Sequence, residues 1–450
     1  MNRIVFIFVL SFLTVKGSAQ SSNYDPDKLY AVTALKKDLQ FLKSKLEKYH
    51  PNLYLYTPKE TLDIFFDSLN TSIVKPMTDF EFYNLITLLN SKIKDGHTMF
   101  LPGDDATAYF NSKSKFFPFT VLATANSLYI NMNCSLDTAL KQGTEIISIN
   151  GVSAKEMMSQ LLERQIRDGY NQTYPLWILN NYFKDYYSFT YGHPAEFSIV
   201  YNYNATGQQT KTVMALPRDS IKFYRLLRYP SSEDERGITL AYNKELNSAV
   251  LTIPSFDDGI LKSKYKQNFN KTVQNIFDSI QINHVAHLIL DIRNNQGGDF
   301  ENGQLLLANL ISTPFRYLLT GEATGIHNPV SDPYKGELYV LINGGSFSNS
   351  GIVSSLLASH KRGVFIGEET GGNKNIISGD AGNGSLPNTR INCEISSKKY
   401  LIQQTDSSDG HGTIPTYSLT STIDDIINHK DKVKEFAFEL IRRSVYSYKQ

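Results

Sequence analysis

The spacing of apolar and polar positions divides the chain into three stretches of different rhythm. In residues 27 to about 100, apolar side chains recur at three- and four-residue steps. Leu35, Leu39, Leu42 and Leu46 in LKKDLQFLKSKLEKY make one such stripe. That spacing lines them along one face of an α-helix, and His50-Pro51 stops it. Thr61 to Leu69 and Asp79 to Ile93 repeat the pattern, the last running straight into Lys94-Asp95-Gly96-His97-Thr98. Gly96 is expected to end that helix, which leaves His97 at the head of an apolar, strand-like exit through Leu101.

From about 114 to 215 the rhythm shortens to strands: Phe117–Leu122, Ser127–Ile130 and Gly143–Val152. The last is an apolar run closed by Asn150-Gly151 and followed by a helical stripe from Ala154 to Leu162. Residues 163 to 190, rich in Tyr and Asn, read as an insertion, and residues 216 to about 236, polar and mixed, as a linker. After residue 237 strands alternate with helices. Ala249–Ile253 is a strand, Asn268–Ile280 a helix, and His287–Arg293 a buried strand that runs into Asn294-Asn295-Gln296-Gly297-Gly298. A helix over Asn302–Ile311, strands near Ser385–Ile402 and a helix from Lys432 follow. Such alternation predicts a mostly parallel α/β layer.

The chemistry concentrates in Tyr339 to Thr370, YVLINGGSFSNSGIVSSLLASHKRGVFIGEET. An apolar strand passes through a turn of small residues into a helix that begins near Ile352, and Gly363–Gly367 forms the next strand. A hydroxyl on such a turn is exposed at the sheet edge, and the N–H groups of the helix start point toward it. A nucleophile with a ready anion site fits there. A serine at a helix start is also a common N-cap.

Composition narrows the classes. A net charge of +1 over 450 residues implies neither nucleic acid nor an acidic membrane surface as partner. The 27 Tyr and 26 Phe suit polar-edged aromatic surfaces, such as those that line a peptide groove. Residues 1–19 read as a secretory signal: Arg3, an apolar run over Ile4–Val15, and small residues before a cut after Ala19. That run is shorter than the ~20 residues of a spanning helix. The expected mature protein is exported, periplasmic or extracellular, with no membrane span. Cys134 and Cys393 either pair in an oxidising compartment or stand as buried thiols. His284 and His287 give an HxxH without a second ligand pair, and no metal or cofactor is implied.

Three segments in this order resemble the C-terminal-processing (tail-specific) serine protease family: KDGHT at 94–98, LILDIRNNQGG at 288–298, and NGGSFSNSGI at 343–352 running on to GEETGG at 367–372. The decapeptide closed by Asn150-Gly151 resembles the signature of PDZ domains, which bind peptide ends by strand addition. The resemblance implies an α/β fold: a crotonase-like ββα-spiral catalytic core over 237–450, an N-terminal helical domain over 27–113, and a PDZ-like module over 114–215.

By position, the resemblance puts the nucleophile on Ser348. Backbone oxyanion donors would come from Asn349 and from Gly297 or Gly298. The lysine base of the Ser–Lys branch falls on Asn373, with Lys374 one residue later as an alternative base. KDGHT is similar instead to the histidine segment of the branch that includes tricorn protease, which makes His97 the general base. A third member is unassigned among Asp95, Glu368, Asp409 and His411, with Asp406 nearby. The implied activity is hydrolysis of peptides or unfolded protein tails through an acyl-enzyme. The competing readings are a catalytically silent protein that binds peptides or apolar ligands on the same scaffold, and, disfavoured by the export signal, an acyl-CoA enzyme.

Overall fold

The computed structural model describes residues 24–202, 207–230, 236–403 and 409–447. The signal segment 1–19 and Asp406 lie outside the described residues.

The architecture is mixed α/β. Its centre is a six-stranded sheet in the order Tyr417–Ser418, Val364–Gly367, Glu337–Ile342, His287–Asp291, Ser248–Thr252, Thr239–Asn243. All neighbours are parallel except the last pair, a hairpin. Every residue of His287–Asp291 is buried, because helices cover both faces of the sheet. Leu288, Leu290, Val340 and Ile342 point to one face, where they meet Val273, Leu306 and Ile352 of three helices. Ile289, Tyr339 and Leu341 point to the other, against Val433, Ala437 and Ile441 of the helix Lys432–Ser447. The two-residue period of a strand supplies both layers from one sequence run.

A second, antiparallel sheet runs in the order Phe119–Ala123, Leu128–Asn133, Glu145–Ile149, Glu196–Asn202, Gln208–Met214. The helices Ala154–Glu163 and Thr173–Tyr191 pack on it through Met157, Met158, Leu161, Leu179, Phe183 and Tyr187. The stretch read as an insertion is therefore mostly helical, two runs joined at a kink where Tyr182 has φ −130° and ψ 23°, and it crosses to the outer strand of the sheet. There the Asn180 side chain receives the Ala123 N–H at 2.6 Å and donates to the Ala123 carbonyl at 3.1 Å.

The stretch read as a linker also holds a helix, Arg218–Arg228. Ile221 anchors it in a small cluster with Phe116, Cys134 and Leu216, which its charged sequence concealed. Cys134 and Cys393 are both buried free thiols. His287 pairs with Glu337 at 3.0 Å.

The N-terminal helices Val32–Tyr49, Lys59–Ser72 and Asp79–Ile86 share a core built on Leu35, Leu39, Leu42, Phe66 and Phe82. Late residues complete it: Leu386, Ile391, Cys393 and Ile395 belong to the same cluster. Buried Asp38 accepts the N–H groups of Asn388 and Thr389. The strand Met99–Leu101 pairs antiparallel with Asn392–Ile395. This long-range pairing carries the His97 turn onto the parallel layer. Among the described residues no helix is long and apolar enough to cross a membrane.

Candidate active site

Ser348 closes the turn after Glu337–Ile342 and sits as the N-cap of the helix Asn349–Ser359. Its backbone has φ +52° and ψ −122°, a region L-residues seldom adopt. The neighbours hold it there. Ser346 donates its hydroxyl to the Ile292 carbonyl at 2.9 Å, and Phe347 N–H reaches the Asn295 carbonyl at 3.1 Å. Asn349 is fixed by Tyr317, whose hydroxyl donates to its Oδ1, and by its own bond to the Asp299 carbonyl at 2.6 Å. Strain kept at a turn by so many partners is a mark of functional sites.

His97 Nε2 lies 3.1 Å from Ser348 Oγ. Both side chains are almost fully buried, Ser348 at 2% and His97 at 5% exposure. The His97 ring stacks on Phe347 with centroids 4.7 Å apart, and Phe347 stacks on Tyr174 at 4.1 Å. Gly96 did not serve as the helix terminator expected of it. The helix stops at Ile93, with Lys94 in the left-handed conformation at φ +56° and its carbonyl taken by the Gly169 N–H. Gly96 is needed two residues later, where a Cβ would lie 2.6 Å from the Phe347 ring.

Two buried carboxylates frame His97. Asp95 accepts the His97 N–H at 2.9 Å, the Thr98 hydroxyl at 2.9 Å and His50 Nε2 at 2.6 Å. His50 Nδ1 receives the Asn52 N–H at 3.1 Å, which leaves the ring proton on Nε2, facing Asp95. Asp168 accepts the Gly96 N–H at 2.8 Å and the Asn373 N–H at 3.1 Å. One nitrogen of His97 and one oxygen from each carboxylate lie within 4.8 Å of one another. That trio is compact enough for a cation, but both carboxylates already accept N–H or O–H donors, as in a hydrogen-bond network that orients an imidazole.

Burial alone would raise the Asp95 pKa, but His50 and His97 outweigh it and hold the carboxyl well below its usual range. Burial and the Asp95 charge push Asp168 up to about 7. Burial also lowers His97, against the pull of Asp95 and Asp380. The base is therefore neutral and proton-accepting near pH 7.

The other candidates lie in different places. Gly297, at φ +93°, sits against the nucleophile: a Cβ there would be 2.9 Å from Ser348 Cβ and 2.7 Å from the Asn349 nitrogen. Its N–H is held by Asn295 Oδ1 at 2.9 Å. Gly298 packs on Phe256 and Asp257. Glu368 engages the Thr420 hydroxyl and the Gly344 N–H. Asp409 pairs with Lys374 at 2.7 Å, and His411 pairs with Glu369 at 3.1 Å. Lys374 thus turns its ammonium toward Asp409, while Asn373 is buried and bonds Tyr56.

Of the candidate third members among the described residues, Asp95 is the one hydrogen-bonded within the His97 segment. Sequence reasoning passed over Asp168 and treated His50 as a helix stop. The available hint for Asp168 was Asp168-Gly169, which repeats the Asp-Gly step of Asp95-Gly96.

Residues 247–419 match the sequence model described as Peptidase family S41. This segment matches a serine peptidase family. The match indicates a serine-type peptidase. A 113-residue stretch is 32% identical to a C-terminal processing peptidase, chloroplastic, from Tetradesmus obliquus. The chain spans about a quarter, 24%, of the length of that curated relative. The crystal structure of mature CPAF has a TM-score of 0.65 at 14% identity, covering 92% of this chain and 98% of that one. Mature CPAF complexed with lactacystin gives 0.66, also at 14% identity, covering 92% and 99%. These two likenesses concern the fold.

Proposed function

We propose that the protein is an exported serine endopeptidase that cuts peptides or protein C-terminal tails, with Ser348 as nucleophile and His97 as general base. The observation that carries this reading is the 3.1 Å approach of His97 Nε2 to Ser348 Oγ on a strained strand-to-helix turn. His97 takes the hydroxyl proton as Ser348 Oγ adds to the scissile carbonyl. The imidazolium then gives that proton to the leaving amine, and water repeats the sequence on the acyl-enzyme. Asp95 and Asp168 orient the His97 segment and balance its positive charge.

The Asn349 N–H, at the first turn of its helix, faces the developing oxyanion. Gly297 or Gly298 supplies the second donor, and for Gly297 this requires release of Asn295. One such donor is typically worth ~10²–10³ in rate. The two-faced parallel sheet supports a crotonase-like ββα-spiral core over 237–450. The antiparallel sheet with its Asn150-Gly151 turn supports a PDZ-like identity for 114–215, beside a helical domain over 27–113.

A second reading, a silent binding protein on the same scaffold, draws on the 2% exposure of Ser348. Covalent labelling with a fluorophosphonate probe separates them. Stoichiometric labelling at Ser348, lost in Ser348→Ala and His97→Ala, supports the peptidase. Absence of labelling in the wild type across pH 5 to 9 would overturn it in favour of the binding protein.

A further inference from the structure

The strands Gly382–Ser385 and Asn392–Ile395 pair antiparallel, with Gly382 opposite Ile395 and Gly384 opposite Cys393. Residues directly opposite in such a pair share a face of the sheet. Cys393 and Ile395 turn toward the helix Val32–Tyr49, into the cluster that holds Leu42 and Leu386. The outer strand therefore has glycine at both positions on that face, where a half-buried strand ordinarily carries a branched or aromatic side chain. Neither glycine is forced by crowding. A Cβ at Gly384 would meet nothing within 4 Å, and one at Gly382 would meet only the Ile395 carbonyl, at 4.0 Å. Neither has the positive φ that favours glycine.

The two missing side chains leave a cavity of about 280 Å³ between hairpin and helix. Cys393 and Ile395 form its floor, and Phe41, Lys45 and Tyr49, one stripe along the helix at four-residue steps, form a wall. Burial first and the Asp38 charge second push the Cys393 thiol up to about 12, so the thiol is a neutral, apolar part of the floor. Asp38 itself is taken up by Asn388 and Thr389. Lys45 is the one charged residue of the lining. Its ammonium lies 5.0 Å from the centre of the Phe41 ring and 5.3 Å from that of Tyr49, with no salt-bridge partner among the described residues. An apolar slot with a single cation in its wall matches an apolar body that ends in an anion. At about 30 Å³ per water-sized group, the space takes on the order of ten non-hydrogen atoms.

We propose that this cavity binds a medium-chain alkyl carboxylate, its chain over the two glycines and its head at Lys45. Met99, in the same sheet, turns its side chain the other way, into the cluster of Phe347. The cavity and the Ser348 turn thus lie on opposite faces of that sheet, and the proposal assumes nothing about the reaction.

Equilibrium dialysis of the whole protein against octanoate, octanol and octylamine tests it. One octanoate is expected to bind per chain, with Kd about 1 mM or tighter. Gly384→Val fills the cavity on a backbone that accepts a branched residue and should abolish binding. Lys45→Gln should weaken octanoate about fivefold, the size of a partly exposed charge pair, and leave octanol unchanged. Lys45→Arg should keep most of the affinity. Lys45 is a half-exposed helix position, so its variants decide the matter if Gly384→Val fails to fold. Absence of saturable octanoate binding well above that concentration, or binding that survives in folded Gly384→Val, would overturn the site. Octylamine bound as tightly as octanoate, or octanoate bound equally by wild type and Lys45→Gln, would overturn the anionic head.

Discussion

Two short turns compete for the role of base, and they differ in where their side chains go rather than in how well they are anchored. Both hang on the same carboxylate, since Asp168 accepts the Gly96 N–H from one and the Asn373 N–H from the other. In the first turn His97 is buried, stacked on Phe347 and hydrogen-bonded to Ser348. In the second, Asn373 takes the buried position and Lys374, one residue on, projects to Asp409 at a partly exposed pair. Asn373 folds its segment into a turn, its Oδ1 accepting the N–H groups of Asn375 and Ile376, and Lys374 projects outward from that turn. The Lys374 ammonium, which a lysine base would have to aim at Ser348, pairs with Asp409 instead.

The largest effect expected is from Ser348→Ala, which should abolish fluorophosphonate labelling and lower kcat by at least ~10³, since a nucleophile acts as a unit with its base. A variant that keeps labelling at another serine would break the assignment. His97→Gln should cost ~10² or more in kcat, the contribution of a positioned general base.

The pH profile sharpens the same contrast. Burial lowers the His97 pKa below its ordinary 6.5. The acid limb of kcat/KM should therefore fall below pH 6.5, because the imidazole is already neutral above its own pKa. A lysine base would hold its proton to a much higher pH and move the limb upward by units. A limb at or above pH 8 would sink the histidine assignment.

A smaller effect concerns the shared carboxylate. The Asp168 pKa is raised from its ordinary 3.8 to about 7, by burial first and by Asp95 second. A raised acid binds its proton more tightly folded than unfolded. Its contribution to stability is full below about pH 4 and is lost as pH rises toward 7. Asp168→Asn should flatten the fall in melting temperature across pH 4 to 7 relative to wild type. Parallel curves for the two proteins would show that Asp168 is ionised throughout. Asp95 works in the opposite sense: its carboxyl is held down, so its contribution is present above the unfolded pKa and is lost only as pH falls below about 4.

The legible parts of this molecule are those whose signal is local. The continuous apolar runs within His287–Asp291 and Glu337–Ile342, and the small-residue turn around Ser348, state a strand–turn–helix layer in single segments. The Asp-Gly-His step stood out because glycine and histidine adjoin a helix end. The contacts that assemble the site are not local. His50 meets Asp95 across 45 residues, Asp168 meets Asn373 across 205, and Met99–Leu101 pairs with Asn392–Ile395. Nothing in the periodicity of one strand names a partner that distant. The helix Thr173–Tyr191 was obscured for another reason: its aromatic residues serve a sheet on one side and the stack on Phe347 on the other, so no single apolar face stands out.

The smallest effect is the most telling for the comparison. Lys374→Gln removes an ion pair whose side chains are 30% and 52% exposed. Such pairs contribute ~0–1 kcal/mol, so the melting temperature should shift by no more than a few degrees. The backbone of the turn is held independently, by Lys374 N–H to the His411 carbonyl and by the Ser355 hydroxyl to the Lys374 carbonyl. Labelling rate and acid limb should therefore match wild type within about twofold, a difference of ~0.4 kcal/mol in the barrier. A loss of ~10² or more would mean that the ammonium swings from Asp409 to Ser348 when substrate binds. Asp409→Asn would then accelerate labelling by freeing the lysine, whereas with His97 as base it should leave the rate unchanged.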